Sequence, residues 1–206
     1  MRDPSASREA QSKTEGHSPT SVLEAIRGRR SIPKMKPDPV PREMVMRLLD
    51  AAVWSPNHRL TEPWQFFVLE GESKQRFAEI RRDFRRKLLP NPDAPEVLPA
   101  LDKVYRDTME TPVIIAVTSH QADDPETREE DVWATYGAAY AFMVGAWGEG
   151  LGTYFRTGAI RDDPRLRQLL SLPENRRVIG IIYAGYPAEV PSRRRTPAAE
   201  KTVWLR

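Results

Sequence analysis
Arg29, Arg30 and Ser31 set two guanidinium forks beside a hydroxyl just past the end of a predicted helix, the donor set that a phosphate monoester prefers. Taken alone, the run reads more simply as a solvated basic helix terminus, favoured by the negative end of the helix dipole. Little else in the chain offers chemistry carried by protein groups. There are three histidines, His17, His58 and His120, and no cysteine, which removes disulfides, thiolate metal sites and cysteine nucleophiles. No His-x-x-x-His pair or carboxylate cluster has metal-ligand spacing. No Gly-x-Ser-x-Gly, phosphate-loop or Gly-x-Gly-x-x-Gly run occurs either. Hydrolytic metal chemistry, acyl transfer and nucleotide hydrolysis therefore lack an anchor, and an enzyme with this sequence needs a cofactor to supply the reacting atoms.

Charge adds a weak second possibility. With 32 basic against 29 acidic residues the net charge is only +3, so a polyanion partner is poorly supported. The basic runs Arg27 to Arg30, Arg81 to Lys87 and Arg193 to Arg195 read as solvated faces rather than a nucleic-acid stripe. The N-terminus lacks the apolar centre of a secretory signal and no apolar run is long enough to span a bilayer, so a cytoplasmic protein without a membrane partner is expected.

The elements that must position these groups follow from periodicity. Residues 1–20 are polar and cannot offset their ordering entropy by burial, so they read as a loose tail ahead of one domain, 21–206. Ser21 with Glu24 has capping-box spacing, opening a short helix with an apolar stripe of Val22, Leu23 and Ile26 that ends near Gly28. Met44, Val45, Leu48, Leu49, Ala52 and Val53 make an amphipathic helix that stops before Pro56. WQFFVLE reads as a buried strand, and Phe77, Ile80, Phe84 and Leu88 line one face of a long charged helix broken by Pro90, Pro92, Pro95 and Pro99. PVIIAVTS is a second strand, and the acidic stretch QADDPETREED a loop. The run from Asp131 to Gly150, apolar nearly all round, marks a central buried helix or a dimer axis. GTYFRTGAI is extended, DDPRLRQLLSL a short helix and RVIGIIYAGYP a strand. The tail ends in Val203, Trp204 and Leu205, apolar groups that must dock somewhere.

Against this background, five short runs stand in a telling order. Arg29-Arg30-Ser31, Ser55-Pro56-Asn57-His58 with Pro63-Trp64, Gly150-Leu151-Gly152-Thr153, Phe155-Arg156-Thr157-Gly158 and Gly185-Tyr186-Pro187 follow one another as in nitroreductase-family flavoproteins. From about residue 21 to its end the chain resembles that family, and its compact members most. Each run is weak alone; the ordered set is specific.

The resemblance implies an α+β fold, a mixed, mainly antiparallel sheet wrapped by helices, with FMN held between the subunits of a homodimer. Residues 187–206 would cross to the partner. Arg29, Arg30 and Ser31 would grip the FMN phosphate and ribityl chain, and the other subunit's Pro56, Asn57 and His58 would cover the isoalloxazine. Phe155, Arg156, Thr157 and Gly158 would pack against flavin and phosphate, and Arg195 would reach the phosphate. FMN N5 would take hydride from NADH or NADPH and pass it to a nitroaromatic, quinone or enone by ping-pong kinetics. No catalytic side chain is required. Dehalogenating and azoline-oxidising members leave that chemistry open. Two departures stand out: Leu60 replaces an Asn common in relatives, and the lysine near the flavin pyrimidine is out of register, with Lys34 as its candidate substitute. The competing reading, from charge, is a non-catalytic basic module that binds nucleic acid.

Overall fold
The computed structural model describes residues 21–206; the tail expected over residues 1–20 lies outside the described residues. Four strands, β1 (Trp64–Val68), β2 (Val113–His120), β3 (Gly152–Arg156) and β4 (Arg176–Gly185), form one sheet in the order β1-β2-β4-β3, every pairing antiparallel. The two central strands carry the β-branched runs VIIAV and VIGII, buried on both faces, as a strand between two helical layers requires. β1 is an edge strand only partly covered, not the buried strand its aromatic run predicts. At the other edge, Ser31 bridges Thr153 in parallel and Met35 bridges Pro187 antiparallel, giving the sheet its mixed character. The Ile32 amide donates to the Thr153 carbonyl at 2.9 Å. Glycine at 152 permits this approach, because a Cβ there would meet Ile32 at 2.6 Å.

Alternation along β2 and β4 divides the core in two. Val113, Ile115, Val117 and Ile182 pack under α2 (Arg42–Ala52) and α5 (Pro125–Gly148). Ile114, Ala116, Ile181 and Tyr183 pack with Phe77 of α3 (Gly71–Lys87) and Leu166 of α6 (Pro164–Leu169). The fourth helix, α4 (Leu98–Glu110), lies against α3. The first, α1 (Val22–Gly28), has the predicted capping box: the Ser21 amide donates to Glu24 at 2.9 Å and the Glu24 amide to the Ser21 hydroxyl at 3.3 Å.

Three expectations change. Pro99 does not merely end α3; it sits in the first turn of α4, where a missing N–H costs nothing. The acidic stretch is only partly loop: Asp124 caps α5 by accepting from the Thr127 amide at 2.8 Å, and Pro125 opens the helix. Finally, α5 is buried on one side only. Ala134, Ala138, Phe142 and Ala146 face the core, while Trp133, Tyr136 and Tyr140 stand on the exposed side. The α1 stripe of Val22, Leu23 and Ile26 is likewise exposed, as are Val203, Trp204 and Leu205 at the C-terminus.

Candidate functional site
The exposed side of α5 organises the candidate residues. Tyr140, near one end, faces the Arg29 guanidinium, whose carbon lies 5.9 Å from the ring centroid. One turn earlier, Tyr136 meets Phe155 edge-on, with centroids 5.7 Å apart and planes at 89°. Gly137 touches the loop after α2, where a Cβ would come within 2.3 Å of the Ser55 hydroxyl. At the far end Glu130 receives His58 Nδ1 at 2.9 Å and Arg59 Nε at 3.2 Å. From Glu130 to Tyr140 the strip is roughly 15 Å long, at 1.5 Å per residue.

The corner at Arg29 has unsatisfied donors. Arg29 caps the C-terminus of α1 through its backbone amide, which donates to the Ala25 carbonyl, and this points its side chain back toward α5. Its Nε is buried without a hydrogen-bond partner, and among the described residues no carboxylate lies within ion-pair distance. The Thr153 hydroxyl, on the same face of β3 as Phe155, is also buried and unpartnered. Arg30 is used differently. Its Nη1 donates to the carbonyls of Arg27, Gly28 and Arg29 at 2.6, 3.0 and 2.9 Å, satisfying the last turn of α1. Ser31 is exposed beside Thr153 at the sheet edge.

The loop from Ser55 to Glu62 is held by a polar network. Asn57 Oδ1 accepts from the Glu62 amide at 2.7 Å, and its Nδ2 donates to the Thr61 hydroxyl at 3.2 Å. Thr61 in turn donates to buried Asp131 at 2.5 Å, and His120 Nδ1 stands 3.7 Å from the other oxygen of that carboxylate. Leu60 and Glu62 are held at φ of 49° and 45°, the left-handed region, so the side-chain ties over-determine a loop that would otherwise relax. Hydrogen bonding from His58 and Arg59 holds the Glu130 carboxyl below its ordinary pKa. Pro56, Asn57 and His58 line a cleft of about 580 Å³ with Trp133, Ala134 and Gly137.

Within one chain the motif residues thus form two groups. Arg29, Ser31, Thr153 and Phe155 gather at one end of the strip, and Pro56, Asn57 and His58 at the other. Arg156 joins neither, since strand alternation turns it to the opposite face of the sheet, 4.5 Å over Tyr154 and 5.2 Å over Tyr183. Thr157 and Gly158 are exposed just past β3. Arg195 is exposed and donates only to the Arg194 carbonyl among the described residues. Lys34 lines a separate cleft with Lys103, Asp107 and Glu110. Sequence reasoning placed Thr153 in a family-like run without a role, and missed Tyr136 and Tyr140. Helical spacing relates the two tyrosines, but nothing in the sequence says which side of α5 is left uncovered.

Comparison with known proteins bears on the family and the fold. The chain matches the Nitroreductase family over residues 26–186. It is 30% identical to the NAD(P)H nitroreductase-type protein YfhC of Bacillus subtilis, covering 90% of this chain and 94% of that one. It is 28% identical to an iodotyrosine deiodinase of Nematostella vectensis, covering 87% and 73%. Among solved structures, a nitroreductase-like family protein from Bacillus cereus superposes with a TM-score of 0.79 at 26% identity over 91% of this chain and 97% of that one. A nitroreductase from Desulfovibrio desulfuricans in complex with FMN gives 0.68 at 26% identity over 90% and 96%. No described helix is long and apolar enough to cross a membrane. The chain, by sequence and by fold, belongs to the nitroreductase family.

Proposed function
We propose that the chain is an FMN-dependent oxidoreductase that works as a homodimer and passes electrons from NADH or NADPH to a small organic acceptor such as a nitroaromatic, quinone or enone. Arg29 carries the reading: a part-buried guanidinium with an orphaned Nε, two residues before Ser31, whose bridge partner Thr153 has an orphaned hydroxyl. A cation held out of water without a carboxylate is costly unless an anion reaches it, and a phosphate monoester supplies both charge and acceptor lone pairs. The donor set therefore fits the phosphate of FMN, the group held by the Desulfovibrio relative.

Bound FMN supplies two-electron chemistry, hydride uptake from a nicotinamide at N5 and delivery to an acceptor. The chain's own residues bind, orient and exclude water. Arg29 and Ser31 would hold the phosphate, Phe155, braced by Tyr136, would offer the flavin an apolar contact, and Thr157 and Gly158 would adjoin it. A second copy covers the strip with its Pro56-Asn57-His58 loop and its tail from 187 to 206. The exposed α1 stripe, the aromatic side of α5 and the group Val203, Trp204 and Leu205 together make an apolar surface that a lone chain would leave in water. His58, tied to Glu130 through Nδ1, positions the loop, and hydride transfer itself needs no protein acid. One stacking position for donor and acceptor gives ping-pong kinetics.

Similarity to a deiodinase favours reductive dehalogenation as a second reading, with the same cofactor and a halogenated acceptor. An anaerobic titration separates these. The protein reconstituted with FMN is expected to bleach on adding NADH or NADPH and to recover its colour with a nitroaromatic. Recovery only with a halophenol supports the second reading, and absence of bound flavin overturns both.

A further inference from the structure
On the sheet face away from α5, a second pair of guanidiniums lacks an anion. Arg156 stacks over Tyr154 and Tyr183, and Arg81 of α3 lies 5.1 Å over the same Tyr183 ring. Arg81 is largely buried, which pulls its pKa below the ordinary arginine value, and its Nη1 donates to buried Thr108 at 2.7 Å. Among the described residues neither arginine has a carboxylate within 4 Å. Asp107, which shares a small cavity with both, is taken by Lys103, whose Nζ lies 2.7 and 2.8 Å from its two oxygens. Arg156 Nε is buried without a partner, and so is the hydroxyl of Tyr183, a residue only 5% exposed.

Beside Arg81 and Arg156 opens a cavity of about 390 Å³, within the range of small-molecule sites. Its lining combines apolar Phe84, Leu88, Val104 and Ile160 with the cations Arg81, Arg85 and Arg156, and no acidic side chain lines it. Two like charges set 5 Å from one aromatic ring repel one another, and an anion beside them would relieve that repulsion and take up the orphaned Arg156 Nε. The apolar walls call for a flat hydrophobic body on the same molecule. Phe155, Thr157 and Gly158 border this cavity too, so its mouth adjoins the stretch assigned to the flavin.

We propose that this cavity selects the electron acceptor, and that the acceptor is an aromatic acid whose carboxylate is held by Arg81 and Arg156, beside Phe84, Leu88 and Val104, while its reducible end reaches the flavin at the mouth by Phe155. The assignment rests on the FMN reading for its chemistry, but the acid site is testable without it. Steady-state reduction of 4-nitrobenzoate is compared with that of its neutral isostere 4-nitrobenzamide. A single charge-assisted hydrogen bond that the acid makes and the amide does not corresponds to a preference for the acid of roughly 10- to 150-fold in kcat/KM. Arg81→Met is expected to abolish that preference by raising the KM for the acid, leaving the amide unchanged. Equal use of both compounds, preference for the amide, or a preference that survives Arg81→Met overturns the proposal while leaving the FMN reading intact. Calorimetry with benzoate and benzamide on wild-type protein, with and without FMN, decides the matter independently of turnover. Benzoate alone should bind, in both states; binding of neither, or loss of benzoate binding on FMN loading, overturns the acid site. If no flavin binds at all, the FMN reading fails and the benzoate result still stands or falls by itself.

Discussion
The corner at Arg29 and the loop from Ser55 to Glu62 lie at opposite ends of the same helix face, and they are built on opposite plans. At the corner, Arg29 Nε and the Thr153 hydroxyl are buried and unsatisfied. In the loop nearly every polar group is engaged by a neighbour, Asn57 by Glu62 and Thr61, Thr61 by Asp131, His58 and Arg59 by Glu130. Unsatisfied buried donors point to a ligand, because leaving them so is costly, whereas donors paired within the chain point to a surface held in shape. The two regions therefore have different tasks, although both resemble flavin-binding runs equally well as sequence.

Substitutions should sort by that distinction. Arg29→Ala is expected to have the largest effect on cofactor retention, lowering FMN affinity by about 1.5–3 kcal/mol, roughly 10- to 150-fold, with little change in thermal stability. Equilibrium dialysis of FMN measures it. Arg30→Ala should show the reverse balance. Its Nη1 satisfies three carbonyls at the end of α1, so a stability loss of about 1 kcal/mol should accompany a smaller change in FMN affinity. If Arg30→Ala released FMN as fully as Arg29→Ala, the corner would have two phosphate ligands and the contrast would blur.

Asn57→Ala should act on the loop. It leaves the amide of Glu62, one of the two left-handed residues of the loop, without its acceptor, at a cost of about 1 kcal/mol in denaturant unfolding. Its kinetic signature should be an altered acceptor KM with flavin reduction by the nicotinamide unchanged.

The smallest effect lies away from the site. Hydrogen bonds from Arg165 hold the Asp163 carboxyl below its usual pKa at the cap of α6. A depressed folded pKa stabilises above the unfolded value, near 4, and that contribution is lost as pH falls through the folded value. Melting temperature should thus decline below about pH 4, and Asp163→Asn should flatten part of the decline. An unchanged acid slope in that variant would remove Asp163 from the account.

Much of the fold is legible in the sequence because periodicity reports burial. The α2 stripe, the β2 and β4 runs and the capping box at Ser21 all read directly. Proline is the source of error. As sequence, Pro99 and Pro125 read as a breaker and a loop residue, yet both open helices, and Asp124-Pro125 is a cap followed by a first-turn proline. The α1 stripe of Val22, Leu23 and Ile26 has helical spacing but stays exposed on its own chain, since an apolar stripe says that burial is required and not by what. The site is legible as motifs and opaque as geometry. Phe155 and Arg156 are neighbours in sequence, but strand alternation sends one toward α5 and the other toward Arg81. Tyr136 and Tyr140 carry no signal apart from their helix.

Sedimentation velocity of the reconstituted protein, followed at the flavin absorbance band, tests most directly the claim that FMN lies between two copies along the exposed side of α5. The account predicts that all bound flavin travels with a species of twice the chain mass, at one FMN per chain, across low micromolar concentrations. Flavin travelling with a single chain would contradict it, as would protein that sediments as a dimer and leaves the flavin behind.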